Sequence, residues 1–125
     1  MLEKKNILIV EDDHDLLWLL KKILSMNGFN ILQAVTAEEA DQVFTQNLKI
    51  LDAIILDLSL PDEHGKTVCK KILDRLPEIP VIITTGYEES TQQAELENMG
   101  VSAYLIKPFD IMKLVKIVSD LTRPA

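Results

Sequence analysis

"NILIVEDDHD", residues 6–15, begins as a strand and ends in acids. After Asn6 every position to Val10 is apolar, so both faces of that strand must be covered, as happens in a parallel sheet flanked by helices. Glu11, Asp12 and Asp13 then set three carboxylates in a row where the strand leaves the core. Like charges gathered at such a point oppose folding unless another group relieves them. The remainder of the chain must supply that relief.

Working outward, the strand–helix alternation recurs. A helical segment from about Asp15 to Asn27 follows, and Gly28 caps its end. "ILQAV" (31–35) precedes a helix opened by a Thr36/Glu39 capping box, with Ala40, Val43, Phe44 and Leu48 on one face. "AIILD" (53–57) leads to a third helix carrying Val68, Ile72, Leu73 and Leu76, stopped by Pro77. "VIITT" (81–85) leads to a polar segment, 88–99, that ends at Gly100. Its apolar residues are Ala94, Leu96 and Met99, too few to hold a helix firmly. "AYLIK" (103–107) leads past Pro108 to a last helix, with Asp110 at the N-cap and Ile111, Leu114, Val115 and Val118 facing inward. Five such units predict a single α/β domain over 1–125, a doubly wound five-stranded parallel sheet with five helices.

A chain of 125 residues can bury a real core, and 47% hydrophobic with 26% charged residues is ordinary for a globular protein. The net charge of -7 opposes direct contact with nucleic acid or a membrane surface. The longest apolar run, "LLWLL" at 16–20, is far too short for a membrane span, and the N-terminus lacks a signal-peptide core. Cys69, the single cysteine, has no internal disulfide partner. These features lead to the expectation of a cytoplasmic protein.

Ligands of open parallel sheets bind beyond the C-terminal strand ends, where the chain order reverses. The acids after strand 1 and Asp57 at the end of strand 3 share one crevice if those strands are neighbours. Two unit charges ~4 Å apart repel by roughly 4 kcal/mol at an effective dielectric near ~20. A divalent cation relieves that better than a proton does, and oxygen donors suit Mg²⁺. Strand 4 ends in Thr84, Thr85 and Gly86, and strand 5 in Lys107. The set describes a phosphoryl site: Mg²⁺ and Lys107 neutralise charge, Thr85 donates, and a carboxylate is the nucleophile.

"ILIVEDD", "IILDLSLPDEHG", "PVIITTGY" and "AYLIKPF", in that order, make nearly the whole chain similar to the receiver domains of bacterial response regulators in two-component signalling. The resemblance implies a flavodoxin-like fold with strand order 2-1-3-4-5. It implies that Asp57 accepts a phosphoryl group from the phosphohistidine of a sensor histidine kinase or histidine phosphotransfer protein, with Thr85 and Lys107 assisting. Mg²⁺ would be held by Asp12, Asp57, the Ser59 backbone carbonyl and, through water, Glu11. The chain would act catalytically only on itself. Tyr104 would turn inward as Thr85 moves, reshaping the face of helix 4, strand 5 and helix 5 for a downstream effector or a second copy. The Lys107–Pro108 bond is implied to be cis. Glu11 stands where the family more often has Asp, and Gly86 where it more often has Ala. Ser59 and Tyr87 fill variable positions that modulate acyl-phosphate lifetime in the family.

Several residues carry plainer readings. Asp13 suits a helix cap or solvated neighbour, His14 and His64 suit the surface, and Cys69 suits a buried helix position with no base beside it. Leu16, Leu19, Leu20, Ile23 and Leu24 share one helical face, which leaves Trp18 outside with Lys21, Lys22 and Ser25. Trp18, with Leu17 beside it, is a candidate partner surface; the competing reading is a ring lying along lysine stems. An FMN carrier is opposed by "EDDHD", which repels phosphate, and an aspartyl-phosphate phosphatase by Ser59, where that family has an acid. A degenerate receiver acting as a phosphorylation-independent interaction module is opposed by the intact acids, Thr85 and Lys107. A stand-alone receiver, one excised from a transcription factor and one cut from a hybrid kinase all fit the sequence.

Overall fold

The protein is described by a computed structural model covering residues 3–86 and 92–123. Its strands are β1 (Asn6–Val10), β2 (Asn30–Ala34), β3 (Leu51–Asp57), β4 (Val81–Thr85) and β5 (Ala103–Ile106). The helices are α1 (His14–Met26), α2 (Ala37–Gln46), α3 (Gly65–Arg75), α4 (Gln93–Met99) and α5 (Ile111–Leu121). The strands form one sheet in the order β2-β1-β3-β4-β5, with every pairing parallel. The expected doubly wound architecture is the one observed.

Side chains alternate across each strand, and both sets find cover. Leu8, Val10, Ile54, Leu56, Val81 and Ile83 are buried beneath α2, α3 and Leu96 of α4. Ile7, Ile9, Ala53, Ile55, Ile82 and Leu105 are buried beneath α1 and α5. This double burial is why the strands read as unbroken apolar runs.

Register places the site. Val10 lies opposite Leu56, so Glu11 leaves β1 beside Asp57 at the end of β3. Asp57 pairs with Thr84, and Thr85 with Ile106, which puts Lys107 one step past the end of β5. Strand ends that are far apart in sequence thus meet along one edge.

Local structure refines the sequence reading in three places. α1 starts at His14 because Asp13 caps it, accepting from Asp15 and Leu16 N–H at 3.0 and 3.2 Å. The buried stripe of α1 is Leu17, Leu20 and Leu24, whereas Leu16, Leu19 and Ile23 are half-buried. Leu17 therefore packs in the core and cannot offer the partner surface expected of it. In a run of leucines the helical period marks a stripe but not its centre, and the stripe follows the 17–20–24 spacing. Trp18 is 61% exposed, with Lys22 Nζ 4.9 Å from its ring centroid. In α4 only Leu96 is buried, Met99 is half-buried and Ala94 is exposed. Residues 88–91 of the expected fourth helix lie outside the described residues.

Candidate functional site

Three consecutive acids do three different things. Glu11, 1% exposed, turns inward and accepts from Lys107 Nζ at 2.9 Å. Its other oxygen accepts from Asp13 N–H at 3.1 Å. Asp12 is the most open of the acids at the site, and Asp13 is the cap of α1. Asp57, also 1% exposed, accepts from Lys107 Nζ at 3.1 Å through Oδ2 and from Ser59 N–H at 2.9 Å through Oδ1. Lys107 thus bridges the two buried carboxylates and supplies the relief that the acid row requires.

The electrostatics follow from that geometry. Burial pushes the Glu11 carboxyl up to about 7; the Lys107 hydrogen bond opposes this, and the Asp57 charge adds to it. For Lys107, burial alone would lower the ammonium's pKa, but the Glu11 hydrogen bond and the charges of Asp57 and Glu11 win and hold it raised.

Oxygens of Glu11, Asp12 and Asp57 lie within 4.8 Å of one another. An all-carboxylate donor set of this size matches a hard divalent cation, so the residues fit the expected Mg²⁺. Thr85 is fully buried, and its hydroxyl donates to the Gly86 carbonyl at 3.3 Å. Tyr104 is half-buried against the core on the α2–α3–α4 side of the sheet. Lys107–Pro108 is cis. Tyr87 lies outside the described residues.

A family model for the response regulator receiver domain matches residues 7–119. The chain is a response regulator receiver domain. Among its relatives, a probable transcriptional regulator, ycf27, of Cyanidium caldarium is 30% identical over 118 residues, which make up 94% of this chain and 46% of that protein. Regulatory protein VanR of Enterococcus faecium is 31% identical over 110 residues, 88% of this chain and 46% of that protein. The receiver thus spans about half the length of these curated relatives. A receiver domain protein from Clostridium thermocellum superposes with a TM-score of 0.90 at 26% identity, covering 94% of each chain. A two-component response regulator from Clostridium difficile gives 0.87 at 33% identity, covering 96% of this chain and 97% of that one.

The structure also shows residues of this receiver whose work the sequence reading missed. Gly65 N–H donates to the Leu58 carbonyl at 2.9 Å, and a Cβ at Gly65 would lie 2.4 Å from Leu58 Cα and 2.8 Å from the Asp57 carbonyl oxygen. Only glycine lets the chain approach the end of β3 at Asp57 so closely. The glycine that closes "DLSLPDEHG", just before the apolar face of α3 begins, was the available signal. His64 caps α3 by accepting from Lys66 N–H at 3.1 Å. Asp62 reaches across to α2, accepting from Ala37 N–H at 2.8 Å and Glu38 N–H at 3.0 Å. Cys69 is buried, and burial pushes its thiol up to about 11, far from a reactive thiolate.

Proposed function

We propose that this receiver is a phosphoacceptor whose reactive group is Asp57. The observation that carries the reading is the position of Lys107 Nζ, 2.9 Å from Glu11 and 3.1 Å from Asp57, beside an oxygen cluster sized for a divalent cation. One carboxylate oxygen of Asp57 attacks phosphorus on the partner's phosphohistidine. The new O–P bond forms as the P–N bond breaks, and the electron pair leaves with the imidazole, which takes a proton. Glu11, Asp12, Asp57 and the Ser59 carbonyl would hold Mg²⁺, which supplies charge neutralisation to the phosphoryl oxygens. Lys107 neutralises a further part of that charge. The long Thr85 bond to Gly86 is readily exchanged for one to a phosphoryl oxygen.

That exchange would free space for Tyr104 to turn inward and reshape the α4–β5–α5 face, the surface for a downstream effector or a second copy. α4 suits such a switch, since Leu96 is its only fully buried residue. The phosphoryl donor would be a sensor histidine kinase or histidine phosphotransfer protein, met in the cytoplasm. Trp18, exposed on α1, would form part of the docking surface, so Trp18→Ala should slow transfer from the kinase but not from acetyl phosphate. Equal slowing with both donors would contradict that role.

Incubation with acetyl phosphate and Mg²⁺ should add a single hydroxylamine-labile phosphoryl mass to the native chain and none to Asp57→Asn. A native chain that takes up no phosphoryl group from acetyl phosphate or from the phosphorylated kinase would instead be an interaction module in receiver form.

A further inference from the structure

The loop between β3 and α3, residues 59–64, is fixed at both ends by different means. At its base, Ser59 and His64 form an antiparallel bridge, and Gly65 N–H bonds the Leu58 carbonyl at 2.9 Å. Ser59 N–H also holds Asp57 Oδ1 at 2.9 Å. At its tip, Asp62 uses one carboxylate oxygen for Ala37 N–H at 2.8 Å and the other for Glu38 N–H at 3.0 Å. Those amides belong to the first turn of α2, where no intrahelical acceptor exists.

α2 already has a local cap. Thr36 Oγ1 accepts from Glu39 N–H at 3.0 Å, and Glu39 returns a bond to Val35 N–H at 3.0 Å. The second cap therefore adds a tie between two separate pieces of chain rather than a missing end group. Its anchor is firm, because Ala37 is buried against the sheet. Hydrogen bonds from the α2 amides, Ala37 first, hold the Asp62 carboxyl below its usual range, so it is ionised at neutral pH.

We propose that Asp62 is a positioning residue for the cation site: by tying loop 59–64 to α2, it fixes Ser59, whose backbone carbonyl helps hold Mg²⁺. This rests on the phosphoacceptor reading above. Asp62 acts through the loop and is not itself a ligand. The consequence is that α2, on the opposite side of the loop from the α4–β5–α5 face, sets how well the site holds its cation.

The test compares two caps of one helix. Thr36→Ala removes the local cap and leaves the loop tied; Asp62→Ala releases the loop and leaves the local cap. Asp62→Asn keeps one acceptor oxygen and is the milder variant should Asp62→Ala fold poorly. Mg²⁺ affinity is measured by calorimetry, and thermal stability is measured in chelator. Loss of a group that orients a metal site costs on the order of tenfold in affinity. That loss is expected for Asp62→Ala, with a smaller loss for Asp62→Asn and unchanged affinity for Thr36→Ala despite its lower stability. If the Asp62 variants lose only stability, as Thr36→Ala does, Asp62 is a helix cap and the proposal is overturned. If the native chain binds no Mg²⁺, the phosphoacceptor reading itself fails, a result distinct from the first.

Discussion

The Lys107 side chain, 27% exposed, ends between two carboxylates that are almost wholly buried. Removing it leaves Glu11 and Asp57 facing one another without a cation. Lys107→Ala should therefore destabilise the chelator-treated protein, by less than the roughly 3 kcal/mol of a fully buried broken pair, because a proton can take its place. The urea midpoint measures this, and added Mg²⁺ should recover part of the loss. Glu11 gives a pH dependence of known sign. Burial pushes its carboxyl from the ordinary 4.5 up to about 7, so the folded state holds the extra proton between those values. Stability in chelator should fall as pH rises from about 4.5 to about 7 and then level off, and Glu11→Gln should flatten that profile. At this scale the sequence showed which groups meet but not how they divide their work. "EDD" offers three like side chains, and only the backbone's turn out of β1 makes one an ion-pair partner, one an open carboxylate and one a helix cap. Asp62 was illegible for a similar reason: an exposed acid in a polar loop gives no hint of a bond to a helix 25 residues earlier.

The elements differ in how firmly they are held. Gly65 joins the loop after β3 to α3 through a contact with no room for a methyl group. Its near neighbours are backbone atoms that cannot step aside, so Gly65→Ala should cost about 2–3 kcal/mol by overpacking and displace the loop. Thermal unfolding reads the first effect, and loss of Mg²⁺ affinity the second. α4, seven residues long with one fully buried side chain, is the opposite case. Its amides should exchange with solvent much faster than those of α1, and mass-resolved hydrogen exchange checks this. Equal protection in the two helices would remove α4 as the mobile part of the switch. Element existence and order were readable because each strand is buried on both faces and each helix has a cap or a stop, Thr36 and Pro77 among them. The facing of α1 was not, since six leucines and isoleucines in nine positions satisfy more than one stripe, and packing against β1 and α5 chose Leu17.

Across the whole molecule, the parallel order β2-β1-β3-β4-β5 brings the ends of β1, β3, β4 and β5 to one edge. Acids, a hydroxyl and an ammonium, 96 residues apart at the extreme, thereby share one crevice. No helix among the described residues is long and apolar enough to cross a membrane. The strand order came from family resemblance, because apolar runs alone do not say which strands are neighbours. The central claim is that Asp57 is where phosphate attaches. Borohydride reduces an aspartyl phosphate to homoserine, which peptide mass mapping can place. After treatment with acetyl phosphate and Mg²⁺, homoserine should appear at position 57 alone and vanish when Mg²⁺ is withheld. Homoserine at Asp12 or Asp13, or an unmodified Asp57 in a chain that has taken up phosphate, would contradict the account.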